Sequence, residues 1–239
     1  MKKEKKMEQK KWIHLQTENK EIPFPILIKK YIDSGSWGHI YSCISSSLSS
    51  CPSVVKVIPL EYFSLLSKDT QEETNEFSTT PEEFWKEQEV SLLMSKEEIA
   101  PSLFAWGILE VETTDPTISS SFQFKKYLVV KRQKYKFGLL VLEQMDYLLS
   151  AYKELIYVNP HKEEYLKYIS TELEKKISRC FHLNVVHMDL SFGRNVMISV
   201  DISNTITSSY LKPLKVRIID WGLVCTPEQW CINTILSTF

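Results

Sequence analysis

Apolar positions change period twice along this chain. Between Ile26 and Ile58 they come in short runs: Ile26-Leu27-Ile28, then Ile40-Tyr41-Ser42-Cys43-Ile44, then Val54-Val55-Lys56-Val57-Ile58. Runs of this kind, bounded by glycine- and serine-rich turns, predict three strands. The serine-rich stretch 45–53 reads as the loop joining the last two strands. Residues 61–82 are polar and acidic and read as an insertion or mobile loop. At Pro81 the period lengthens. Proline suits a first helical turn, and Glu82 and Glu83 suit the positive end of a helix dipole. Phe84, Val90 or Leu92, Leu93 and Met94 are compatible with one buried face of that helix.

Segments 103–111, 127–131 and 137–142 return to strand character. Residues 147–157 and 161–182 then predict helices, the second with Tyr165, Tyr168, Ile169, Leu173 and Ile177 turned inward. Short strands follow at 185–186, 196–198 and 216–219. Residues 1–22 are charged and without period, which predicts a flexible or edge-packed arm. No internal repeat is visible.

Composition narrows the class without naming a function. A chain of 239 residues with 43% hydrophobic and 25% charged residues can build a sizeable core in one domain or two lobes. A net charge of -1 gives no general attraction to nucleic acid or to an acidic membrane. No apolar run approaches the roughly 20 residues needed to span a bilayer, and the N-terminus lacks the apolar core of a secretory signal. The five cysteines are odd in number and never spaced C-x-x-C, which disfavours both a disulfide framework and a zinc site. A reducing, intracellular setting is expected, cytoplasmic first, with the nucleus as the other compartment.

The candidate chemistry sits in segments that share most of the chain's few glycines. Gly35-Ser36-Trp37-Gly38 lies between two strands, not between strand and helix, so a dinucleotide-binding turn is disfavoured. Glycines there let a backbone approach phosphate oxygens and donate N–H groups to them. Lys56 stands inside an apolar strand, where its charge is costly to bury unless paired. Further on come His187-Met188-Asp189-Leu190-Ser191-Phe192-Gly193-Arg194-Asn195 and Ile219-Asp220-Trp221-Gly222. An aspartate delivered at the end of a strand suits a magnesium ligand.

In this order the segments resemble those of protein kinases: glycine-rich loop, V-A-I-K strand, H-R-D-L-x-x-x-N loop and D-F-G. The resemblance covers about residues 24–224. It implies an α+β, protein-kinase-like bilobal fold: a flexible arm at 1–22, a β-rich N-lobe at 23–145 and a reduced helical C-lobe at 146–239. It also implies a nucleotide site for ATP made by Gly35, Ser36, Trp37, Gly38 and Ile40, with Lys56 on the α- and β-phosphates. Glu89 is taken ahead of Glu87 as the partner of Lys56. Leu142 corresponds to the gatekeeper, and Glu143 and Met145 lie in the hinge whose backbone bonds adenine. Asn195 and Asp220 would hold Mg2+, and Asp189 would accept or orient the substrate hydroxyl.

Three departures stand out. Asp33 replaces the first glycine of the loop. Asn195 lies one residue farther from Asp189 than the family spacing, so a bulge is expected, with Gly193 the candidate. Met188 replaces the arginine that answers a phosphorylated activation loop. The expected function is an ATP- and Mg2+-dependent phosphotransferase acting on a protein, with a serine/threonine acceptor on family frequency. The alternative is a pseudokinase serving as a nucleotide- or protein-binding module. Neither nucleic acid nor membrane is expected as a partner.

Overall fold

Two-residue alternation turns the first third of the chain into adjacent strands of one antiparallel sheet. The structure, a computed structural model, describes residues 12–18, 23–35, 38–48, 51–60, 63–67, 73–76, 79–112, 127–129, 134–201 and 211–230. It divides into two compact units, Met1–Gln88 with Leu103–Gln144 and Glu89–Ser102 with Met145–Phe239.

The first unit holds β1 (Ile13–Leu15), β2 (Phe24–Gly35), β3 (Gly38–Ile44), β4 (Ser53–Pro59), β5 (Phe63–Ser67), β6 (Glu73–Glu76), β7 (Leu103–Glu112), β8 (Tyr127–Val129) and β9 (Lys134–Glu143). Its main sheet runs in the order β1-β2-β3-β4-β9-β7, and β6-β5-β8 form a smaller one. Backbone bonds between Gln16 and Trp106 (2.9 Å in both directions) join the segment after β1 to β7, so the outer strands of the main sheet meet. Pairing of this kind removes two open edges. The residues Phe24, Ile26, Ile28, Tyr41, Cys43, Val55, Val57, Leu139 and Val141 pack into one core cluster. Burying each large aliphatic there contributes about 1.5–3 kcal/mol.

Two expectations are corrected in this unit. Residues 61–82, read as a loop because they are polar and acidic, contain β5 and β6. Within the arm assigned to residues 1–22, Ile13–Leu15 is an edge strand paired with β2, and Leu15 is buried.

Helix α1 (Pro81–Lys96) opens with a capping box. The Thr80 N–H donates to Glu83 Oε2 (2.8 Å), and the Glu83 N–H donates to Thr80 Oγ1 (3.2 Å). Its buried positions are Phe84, Glu87, Gln88, Ser91 and Met94, a stripe at helical spacing. Leu93, expected on that face, is exposed. The Phe84 ring lies against the backbone of Gly138, where any Cβ would collide with it.

The second unit contains β10 (Tyr147–Leu148), α2 (Leu149–Leu155), α3 (Lys162–His182), β11 (Val186–His187), β12 (Val196–Val200), β13 (Pro213–Ile218) and β14 (Val224–Cys225). Strands β10-β12-β13 form one antiparallel sheet, and β11 pairs with β14. Tyr165, Ile169 and Leu173 of α3 are buried with Val196, Ile198, Val216 and Ile218, as the helical period predicts, and Ile177 packs partly buried against them. Tyr168, predicted inward, is 40% exposed and donates its hydroxyl to Leu214 O (3.3 Å). The helix stops at Asn184, whose φ of 59° lets the Val185 N–H return to Cys180 O (2.9 Å). No helix among the described residues is long and apolar enough to cross a membrane.

Candidate functional site

The predicted polar residues fall into two sets, one in each unit. In the first unit, Lys56 lies on β4 between β3 and β9, not on an edge. Register places it opposite Ile40 on one side and Leu140 on the other. Val54 is likewise opposite Leu142, so Ile40, Val54, Lys56, Leu140 and Leu142 share one face of the sheet. Val55 and Val57 alternate to the core face. Ile40, Val54 and Leu142 are only partly buried, which leaves an apolar surface beside the lysine.

Lys56 is 9% exposed, and its ammonium is 2.6 Å from Glu87 Oε1. The partner is therefore Glu87; Glu89, the expected residue, is exposed to solvent. Helical geometry gives the reason. Glu87 is one turn from Phe84 and four residues before Ser91, on the buried stripe, whereas Glu89 projects from the opposite side. That stripe is the signal in the sequence that identifies Glu87.

Gly38 pairs with Gly35 at the end of the β2–β3 hairpin. A Cβ on Gly38 would lie 2.7 Å from Val57 O, so this strand approach requires glycine. Ser36 and Trp37, the expected tip of the phosphate loop, lie outside the described residues. Asp33 faces Ile40 in the ladder and is exposed. At the end of β9, Glu143 is opposite Ser53 and the Gln144 N–H donates to Pro52 O (3.0 Å). Met145 is 6% exposed.

In the second unit, backbone turns do the positioning. His187 Nε2 donates to Ile219 O (3.0 Å), and its Nδ1 accepts the Asp189 N–H (3.2 Å). These partners assign the neutral tautomer protonated on Nε2. Asn195 Nδ2 donates to Asp189 O (2.5 Å) and to Asp189 Oδ2 (3.3 Å). With its nitrogen committed, the Asn195 amide offers its oxygen to a cation. The Ile219 N–H donates to Asn195 O (3.0 Å), which sets Asp220 beside Asn195 at the ends of β12 and β13.

The extra residue between Asp189 and Asn195 is absorbed in a turn. Ser191 O accepts both the Arg194 N–H (3.0 Å) and the Asn195 N–H (2.7 Å). Gly193 sits in this turn with its carbonyl bonded by Ser150 Oγ (2.8 Å), yet a Cβ there would meet only Ser150 Cβ at 4.0 Å. The turn, not glycine's freedom at Gly193, accommodates the insertion.

Asp220 has a φ of 68°. Left-handed backbone at a non-glycine residue is uncommon, though aspartate tolerates it better than most, and it clusters at functional sites. Trp221 behind it is 2% exposed, donates Nε1 to Ile218 O (3.0 Å) and meets His187 edge-on with ring centroids 4.8 Å apart. A buried tryptophan whose N–H is satisfied holds this bend in place.

The donor set fits magnesium. Asn195 and Asp220 supply hard oxygen atoms, and no group of three or more His, Cys, Asp or Glu among the described residues could cage a metal alone. Mg2+ typically takes one or two protein oxygens and completes its shell with water and phosphate.

Comparison with protein-family models gives no match, and comparison with curated protein sequences gives none either. Solved structures do match. "ROP18 kinase domain in complex with AMP-PNP and sucrose" aligns with a TM-score of 0.57 at 11% identity, covering 90% of this chain and 56% of that one. "Structure of vaccinia related kinase 3" aligns with a TM-score of 0.47 at 13% identity, covering 89% of this chain and 51% of that one. The chain spans just over half the length of these kinases. It has a protein-kinase-like α+β fold with a β-rich lobe and a reduced helical lobe.

Proposed function

We propose that this chain is an ATP- and Mg2+-dependent phosphotransferase that transfers the γ-phosphoryl group to a hydroxyl of a protein, serine or threonine on family frequency. The observation that carries the reading is the Asn195 amide. Its side-chain nitrogen donates to Asp189, and the Asn195 backbone carbonyl accepts the N–H of Ile219, the residue before Asp220, so one short network orients three oxygen-bearing groups. The kinase-like fold supports nucleotide binding, and the structural neighbour is a complex with AMP-PNP, an ATP analogue.

In this reading Lys56, held by Glu87, engages phosphate oxygens as a fixed cation. The glycines of the β2–β3 hairpin let its backbone approach the phosphates. Asn195 and Asp220 hold the cation through oxygen. Magnesium, when bound, bridges phosphate oxygens and offsets charge developing in the transfer. Asp189 accepts the hydroxyl proton or orients the hydroxyl for attack. Lys56→Ala and Asp189→Asn should each lower transfer from ATP to a panel of proteins by about a hundredfold or more. Undiminished transfer by both variants would contradict the proposal.

Asp33 favours a second reading. An exposed carboxylate in the hairpin where kinases carry glycine repels a triphosphate, as expected of a pseudokinase that keeps the fold as a binding module. No melting-temperature shift at millimolar Mg-ATP, together with no transfer to any acceptor, would select it.

A further inference from the structure

Outside the two polar sets, the second unit carries a cationic pair that the proposed chemistry does not use. Along the outer edge of β13, three bonds occupy successive backbone groups. Tyr168 Oη donates to Leu214 O (3.3 Å), Arg217 Nη1 donates to Val216 O (3.3 Å), and the Ile218 N–H donates to Ile99 O (2.9 Å). Lys176 Nζ donates to Glu98 O (2.5 Å), one residue before Ile99. Lys176 and Arg217 therefore lie toward the same end of the strand, near enough for their charges to act on each other. The spacings agree: Tyr168 to Lys176 is about 12 Å of helix, and Leu214 to Arg217 is about 10 Å of strand.

Arg217 is poorly satisfied there. Its Nε is buried with no hydrogen-bond partner among the described residues, while its Nη1 donates to the neighbouring carbonyl of Val216. A guanidinium has five N–H donors in a fixed fork, and buried donors ordinarily find partners. The nearby acids are engaged elsewhere or turned outward. Glu172 pairs with Lys175 (2.9 Å), Glu97 pairs with Arg179 (2.8 Å), and Glu98 is exposed. Burial, with the Arg217 charge second, holds Lys176 below the ordinary lysine value, while Glu172 and Glu98 pull the other way. A second anion would relieve the repulsion.

We propose that Arg217 and Lys176, with the Tyr168 hydroxyl beside them, form a binding site for a phosphate-type dianion at the outer edge of β13. The charge match favours a phosphomonoester or inorganic phosphate, which carries about −1.5 to −2 near neutral pH, over a single carboxylate. The Arg217 guanidinium and the Lys176 ammonium supply charge-assisted donors for phosphate oxygens.

The test is a thermal-shift titration of the full chain with inorganic phosphate and, separately, with O-phosphoserine, against chloride at equal ionic strength. Both dianions, or one of them, should raise the melting temperature above the chloride control. The arm that responds identifies free phosphate or a phosphorylated side chain as the source. Arg217→Gln should weaken the apparent affinity at least tenfold, and Lys176→Met, on a different element, should weaken it as well. Lys56→Met should leave the response intact, which separates this site from a nucleotide site. No response beyond chloride in the unmodified chain, a response in Arg217→Gln and Lys176→Met as strong as in the unmodified chain, or loss of the response in Lys56→Met would overturn the proposal.

Discussion

The two polar sets are held by different physics. Lys56 and Glu87 are charges taken out of water, fixed by a central strand on one side and a helix face on the other. Asp189 and Asp220 sit on turns nearer to solvent beside a buried Asn195, fixed by backbone hydrogen bonds, a left-handed residue and a buried tryptophan. In the first set, position follows from burial and pairing, so removing one partner weakens the pairing of a buried charge. In the second, position follows from chain geometry, so a side chain can be changed with less damage to the fold. The lesson is that stability and function should separate in the second unit and travel together in the first.

The sharpest way to break this comparison is at Glu87. Glu87→Gln should cost about 3–5 kcal/mol in urea unfolding, because it removes the carboxylate charge paired with the buried Lys56 ammonium. Glu89→Gln should stay within about 0.5 kcal/mol, as for an exposed substitution. Equal effects would remove the assignment of Glu87 as partner. Asp189→Asn should likewise change stability little while removing transfer, since the Asp189 carboxylate is exposed and its backbone carbonyl still accepts from Asn195.

Glycines give the next contrast. Gly138→Ala drives a Cβ into the Phe84 ring and should cost about 1–3 kcal/mol. Gly193→Ala meets open space and should be near neutral, within about 0.5 kcal/mol. Chemical unfolding of the two variants side by side measures this.

The smallest effect is an alkaline one. Burial pushes the Cys180 thiol of the second unit from 9.0 up to about 11, and burial raises Cys43 of the first unit as well. A raised pKa stabilises the folded state fully below the ordinary thiol value and loses that contribution as pH rises through the folded value. For Cys180 the loss falls between about pH 9 and 11. Urea midpoints measured at pH 8 and pH 10.5 should differ less in Cys180→Ala than in the unmodified chain.

Much of the fold was legible because it rests on local period. The hairpins around Gly38 and Ser45–Ser53, α1 from Pro81, and α3 with Tyr165, Ile169 and Leu173 inward all follow from spacing and turn chemistry. Strands β5 and β6 were not legible, because a small sheet takes its strands from pairing and their acidic composition reads as loop. The candidate site was legible in its residue types but not in every contact. Glu89 was preferred from its place before an apolar run, yet the buried stripe through Phe84 and Ser91 decides for Glu87. The need for glycine at 138 depends on a ring more than 50 residues away, which no local pattern discloses. The spare residue before Asn195 pointed to Gly193, which does sit in the hydrogen-bonded turn from Ser191 that takes it up, though the turn's bonds come from its neighbours.

The central proposal, an ATP- and Mg2+-dependent phosphotransferase, is tested most directly by a thermal-shift titration with ATP, with and without Mg2+. The account predicts a melting temperature that rises with Mg-ATP, a response lost in Lys56→Met, and a response in Asp220→Asn that no longer depends on Mg2+. No rise at millimolar Mg-ATP, or a rise unchanged in both variants, would contradict it.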